Sequence, residues 1–206
     1  YHNIMFALVE SGSITQMLNG NKGITIDGVQ HPRAIFTLWT EAERNAIGIY
    51  EVTIDTSKKK DEQWYINTNI TYTFSGGKVT GSYGDATAKA HADTLYTSQD
   101  ETDGLIPAGK DVGDVSVEGL KTILIRKVKQ QAEGELNKTD WYVVRKAEED
   151  TAIPSAITTH RKAVRSKQAA METSITNASD TPALETLYTR DKNSERPLGD
   201  LPTLED

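Results

Sequence analysis

Period-two patterning dominates the first hundred residues. Trp64, Ile66, Ile70, Tyr72 and Phe74 share one parity, and Asn67, Asn69, Thr71 and Thr73 the other. That alternation predicts a strand with one buried and one wet face. Tyr50, Val52 and Ile54 supply a strand before it, and Ser75-Gly76-Gly77-Lys78 turns the chain into another over Val79 to Tyr83. Together they predict a small antiparallel meander. Upstream, Ile4 to Val9 and Ile14 to Leu18 read as strands joined at Ser11-Gly12-Ser13, and Asn19 to Gly23 reads as a hairpin loop leading to Ile24 and Ile26. Met5 opens the first run, and residues 1–4 read as lying upstream of it. Thr40-Glu41-Ala42-Glu43 is a capping box after the apolar Ile35-Phe36-Leu38-Trp39, predicting a short helix to about Ala46 with Gly48 as its stop. This helix is the natural cover for the apolar face of the sheet. Asp85 to Leu95 predicts one more helix.

In the second half the period changes to three and four. Val117, Leu120, Leu124, Val128 and Gln131 line one stripe of a helix ending near Leu136 and weakened by Gly134. Asn137 to Thr139 breaks it, and Thr139 or Asp140 can cap a short helix bearing Trp141, Val144 and Arg145. After Pro154, with Ser155 as cap, Ile157, Val164, Met171 and Ala178 recur at sevens, which predicts packing along one helix–helix seam. Leu184, Leu187 and Tyr188 suggest a last short helix.

These elements predict an α+β protein: a small antiparallel β-rich N-terminal domain followed by a C-terminal helical hairpin module. The domain covers 1–96 and the module 115–189. Between them, 97–114 is an acidic linker or long loop carrying Gly104, Pro107, Gly109 and Gly113. Residues 190–206 hold Pro197, Pro202 and several acids, with only Leu198, Leu201 and Leu204 to bury. Fixing each backbone residue costs about 1–2 kcal/mol. The segment therefore predicts an extended arm that orders against a neighbouring subunit, with the three leucines in its groove.

Composition narrows the function by exclusion. The chain of 206 residues has no cysteine, which removes disulfides, thiolate zinc sites and thiol nucleophiles and fits synthesis in a reducing cytoplasm. No apolar run approaches a membrane span, so no membrane insertion is expected. A net charge of −7 argues against general nucleic-acid binding. Its distribution is uneven: residues 91–118 hold seven acids against Lys110, whereas 121–170 hold eleven Lys and Arg against six acids. The two stretches are solvated faces of opposite sign, or the acidic one folds back on the basic helices, or another subunit's acidic patch docks there.

The segment Thr139-Asp140-Trp141, with Arg145, Pro154 and the run His160-Arg161-Lys162-Ala163-Val164-Arg165, resembles the C-terminal pattern of tailed-bacteriophage tail accessory proteins. These are small tail assembly chaperones and fibre-associated proteins that carry Thr-Asp-Trp and then an aromatic-Arg-x-x-Leu-Arg turn. Thr-Asp-Trp matches outright, and Arg161 and Arg165 match the two arginines. His160 stands at the aromatic position and Val164 at that of Leu. The resemblance covers roughly residues 136–170, and Pro32 to Val52 looks like the small N-terminal domain that often accompanies the module. It implies a role in assembly and binding, with the motif fixing a helix corner and Trp141 filling the gap between helices. The residues singled out as fixing the module or forming an interface are Trp141, Arg145, His160, Arg161, Arg165, Leu198, Leu201 and Leu204.

Catalytic and metal patterns fail on spacing. His2, His31, His91 and His160 are scattered, without two-His helical spacing. Residues 99–104 superficially suggest a calcium loop, but aligning Gly104 with the turn glycine puts Gln99 at the first ligand position and Lys110 where a bidentate Glu is required. No phosphate-cradling Gly-x-x-x-x-Gly-Lys or Gly-x-Ser-x-Gly elbow occurs. The expectation is a non-enzymatic tail component of a phage virion, baseplate- or fibre-associated and assembled in the bacterial cytoplasm. It uses no metal or cofactor. Its partners are other tail, baseplate or fibre proteins, with homo-oligomerisation possible. Two alternatives stand beside it: a transient assembly chaperone, and a receptor- or glycan-binding domain using Trp64, Tyr65 and Tyr72.

Overall fold

The computed structural model describes residues 4–204. The chain divides into two compact units, one ending at Thr87 and the other beginning at Ala88. The division falls earlier than the expected boundary after residue 96, because the segment from Lys89 to Asp93 bonds to the helices that follow.

The first unit contains strands β1 (Phe6–Glu10), β2 (Ser13–Leu18), β3 (Ile24–Ile26) and β4 (Val29–His31), and helices α1 (Ile35–Leu38) and α2 (Glu41–Ala46). Strands β5 (Ile49–Asp55), β6 (Tyr65–Ile66), β7 (Thr71–Ser75) and β8 (Lys78–Ser82) complete it. Its main sheet has the order β2-β1-β5-β8-β7. β5 and β8 run parallel, with Val52 opposite Val79, while every other adjacent pair in this sheet is antiparallel. The sheet is therefore mixed, and β5 is next to β8 instead of β7 as a simple meander requires. Gly76 and Gly77 both take positive φ in the β7–β8 turn, the geometry that a two-residue hairpin loop demands.

Two further elements of this unit differ from the sequence pattern. Asn19 to Gly23 is not a hairpin loop, since β3 pairs with β4 across Asp27-Gly28 and not with β2. The alternating run from Trp64 to Phe74 is not one strand. The Asn67 side chain accepts from the Lys60 N–H at 2.9 Å and donates to the Lys60 carbonyl at 2.8 Å, drawing the chain out of the ladder there. Helix α2 carries the expected capping box, with Thr40 and Glu43 bonding reciprocally. Phe6, Leu8, Ile26, Ile35, Phe36 and Ile49 form the core, so α1 and β3 cover this part of the sheet.

Strand β9 (Thr87–Ala88) straddles the division, and the second unit follows. It continues with β10 (Thr94–Leu95), α3 (Ser98–Thr102) and β11 (Val115–Val117). The helices α4 (Leu120–Asn137), α5 (Asp140–Glu149), α6 (Ser155–Asn177) and α7 (Thr181–Tyr188) follow. The helix expected over Asp85 to Leu95 is absent. That segment instead caps α4 from outside: Leu120 and Lys121 donate their N–H groups to the carbonyls of Ala90 and His91. The Asp93 carboxylate accepts from the Gly119 N–H and the Thr122 hydroxyl, each at 2.7 Å. Those bonds, the backbone one first, hold Asp93 below the ordinary aspartate range. A side chain at Gly119 would collide with the Ala92 backbone, so this close approach requires glycine.

The sevens do mark a helix–helix seam, and the partner of α6 along it is α4. Leu124, Val128 and Ala132 of α4 and Ile157, Val164, Met171 and Ile175 of α6 are all buried. Ser155 is the first residue of α6 and makes no capping bond. The C-terminal segment is not an arm extended towards a neighbour. Leu198 is 2% exposed and its N–H donates to the Leu187 carbonyl at 3.0 Å. Arg190 grips Asp200 through two bonds, of 3.1 and 2.7 Å. Leu201 and Leu204 are half-buried on the same unit. Ordering comes from this charged clasp together with the leucines. His2, Glu205 and Asp206 lie outside the described residues.

Candidate functional site

The end of α4, the start of α5 and the first turns of α6 meet at a corner organised by one arginine. Arg161 projects from the buried face of α6 and is 9% exposed. Its guanidinium donates to the Leu136 carbonyl at 2.9 Å and to Thr139 Oγ1 at 2.7 Å, and pairs with Asp140 at 2.9 Å. Leu136 is in the last turn of α4, and the buried cation adds to the Thr139 N–H already bound to its carbonyl and meets the negative end of the helix dipole. Thr139 is fully buried. Its hydroxyl donates back to the Leu136 carbonyl at 3.1 Å and does not cap α5 as expected. The corner role implied for the motif therefore falls to Thr139, Asp140 and Arg161.

A second polar group lies one turn away. Glu135 is buried on α4 and accepts from Lys138 Nζ at 2.7 Å and from the Leu204 N–H at 2.8 Å. Lys138 first, then the Leu204 N–H, hold its carboxyl below the ordinary glutamate range against the opposing effect of burial. His160 Nε2 is 3.3 Å from Glu135 Oε1, without hydrogen-bond geometry. His160 is thus a packing ring beside a carboxylate. Glu135 ties the final described residues to the corner, a link the sequence pattern did not reveal.

Trp141 is elsewhere than expected. It is 51% exposed on α5, a helix with no buried residue. Its ring stacks on Tyr142 at 3.7 Å between centroids, and the Arg145 guanidinium is over Trp141 at 4.9 Å and over Tyr142 at 5.5 Å. Val143 and Val144 are also exposed. The ring therefore does not fill the gap between helices. The bonded corner presents an aromatic-cation cluster beside exposed valines. Beside it, Lys129, Arg161 and Arg165 line a groove of about 390 Å³ together with Glu133 and Asp140, so its charge is mixed.

The residues considered for chemistry are placed apart. Gln99 and Asp100 belong to α3, where Asp100 completes a capping box with Thr97. His31 packs edge-on against Trp39 at 5.8 Å. Among the described residues no group of three or more His, Cys, Asp and Glu is placed to hold a metal, and no helix is long and apolar enough to cross a membrane. Trp64 and Tyr65 are buried and Tyr72 is half-buried, so these three rings form no exposed platform. Comparison with known proteins finds no matching family, curated protein or solved structure.

Proposed function

We propose that this chain is a non-enzymatic structural component of a bacteriophage tail, associated with the baseplate or fibres, and acting by protein–protein docking. One observation carries the reading. Thr139 and Asp140 are bound into a buried corner by Arg161, while the adjoining Trp141 remains exposed beside Arg145. Large aromatics and arginines dominate the binding energy of protein interfaces, and a rigid mount lowers the ordering cost of using them. The partners in this reading are other tail, baseplate or fibre proteins, met during assembly in the bacterial cytoplasm.

The test is incorporation during infection. A Trp141→Asp chain should fold as judged by circular dichroism, yet fail to co-purify with tails, whereas the wild-type chain is retained. Equal retention of both would refute the docking role of this face. Wild-type chain bound to tail intermediates but missing from finished particles would instead identify an assembly chaperone.

A further inference from the structure

Among the asparagines of the chain only Asn19 is followed by glycine. It lies in the connection between β2 and β3, where it is exposed. Its carboxamide oxygen accepts from the Asn21 N–H at 3.2 Å. That bond folds the side chain back over the Gly20 peptide, as in other turns that asparagine closes on its own backbone. Among the described residues the Gly20 N–H makes no hydrogen bond. Glycine has no Cβ to obstruct a ring closing at its nitrogen.

Other asparagines are held differently. Asn67 commits both ends of its carboxamide to the Lys60 backbone. Asn193 precedes Ser194, whose N–H is donated to the Asp191 carbonyl at 3.0 Å and must leave it before the nitrogen can react.

The surroundings of Gly20 decide what a change there does. A carbon added at its Cβ position would lie 3.2 Å from the Phe36 ring and 3.3 Å from the Phe6 ring. Those rings are 5.0 Å apart in the core of the first unit. The Gly20 backbone is therefore packed directly on the core, while Asn19 beside it is open to water.

We infer that Asn19 is a site of spontaneous covalent modification, converted with water as the only co-reactant to isoaspartate and aspartate, and that the isoaspartate form loosens the core beneath it. Asparagine is among the thermolabile side chains. Hydroxide takes the Gly20 amide proton, and the nitrogen attacks Asn19 Cγ. The Asn21 N–H is placed at the oxygen where negative charge develops. The carbon–nitrogen bond of the carboxamide then breaks, and ammonia leaves with a proton from water, which restores the hydroxide. Water opens the resulting five-membered succinimide at either carbonyl. Opening at Cγ gives aspartate, and opening at the backbone carbonyl gives isoaspartate, whose main chain runs through Cγ. One water is consumed and one ammonia released. Both products carry a new negative charge, but only isoaspartate adds a carbon to the main chain immediately before Gly20, where the two rings leave no room. Nothing in this chemistry depends on the partners proposed above.

Storage of the folded full chain at mildly alkaline pH, with peptide mapping by mass spectrometry at intervals, tests this. Asn19 should convert ahead of every other asparagine, faster as pH rises, with isoaspartate among the products. Its rate in native chain should be at least about one-tenth of that in urea-unfolded chain at the same pH, because an exposed loop adds less than a tenfold barrier. These two arms use wild type alone and need no variant to fold. Hydrogen exchange of the β1 and α1 amides should quicken in stored wild type in proportion to its isoaspartate content, and should stay unchanged in stored Asn19→Gln. Native conversion slower than about one-tenth of the unfolded rate, earlier conversion of another asparagine such as Asn193, or products without isoaspartate would overturn the site. Stored wild type rich in isoaspartate but with unchanged exchange in β1 and α1 would overturn the effect on the core.

Discussion

Replacing Arg161 with Met keeps most of the stem volume and removes the guanidinium from the corner. The Leu136 carbonyl retains the Thr139 N–H at 3.0 Å and its hydroxyl at 3.1 Å, so it is not orphaned. The principal loss is the buried charge-assisted bond to Thr139 Oγ1 at 2.7 Å, a class of interaction that contributes about 1.5–3 kcal/mol. Asp140 is half-exposed, which limits its ion pair to about 0–1 kcal/mol. Together these predict a destabilisation of about 2–4 kcal/mol. Urea unfolding followed by far-UV circular dichroism measures it, because the long helices all lie in this unit. The decisive version is a double-mutant cycle with Thr139→Val, for which a coupling of about 1–2 kcal/mol is expected. A coupling below about 0.5 kcal/mol, the range of independent sites, would refute the corner account.

Other outcomes follow from the same geometry. Trp141→Ala should change stability by no more than about 0.5 kcal/mol, as for a surface position, and a loss comparable to a core truncation in thermal denaturation would contradict the exposed placement. Leu198→Ala should cost about 2–5 kcal/mol and open the C-terminal segment to limited proteolysis; unchanged resistance would show that this leucine does not hold it. The folded-state pKa of Glu135 is depressed, so its carboxylate contributes fully above the ordinary glutamate value of about 4.3 and loses that contribution as pH falls through the depressed value. Glu135→Gln should therefore flatten the acid-side fall in melting temperature, and an unchanged slope would argue against a role for this carboxylate in acid sensitivity.

Local signals in the sequence were legible where local chemistry decides the outcome. The capping box at Thr40 and Glu43, the Gly76-Gly77 turn and the sevens of Ile157, Val164 and Met171 each specify an element without reference to distant residues. The α+β division was readable for that reason. Non-local satisfaction of polar groups was not. Nothing near Asp93 announces that its carboxylate caps α4, and helix propensity favoured a helix there. The parallel β5–β8 pairing likewise depends on which edge the chain reaches after the loop around Asn67. At the corner, the motif identified Arg161 but misassigned Trp141, since sequence weighs a tryptophan as core unless its mount is known. The tail was misjudged because its stability comes partly from Arg190–Asp200 and Leu204–Glu135, pairs that no periodicity marks.

In the function proposed above, the chain remains in the tail as a docked structural part. Quantitative mass spectrometry of intact, extensively purified phage particles from the source measures this most directly. The account predicts the chain at a fixed stoichiometric ratio to the other tail proteins, retained when tails are separated from heads. Its absence from particles and isolated tails, despite abundance in the infected cell, would contradict the account.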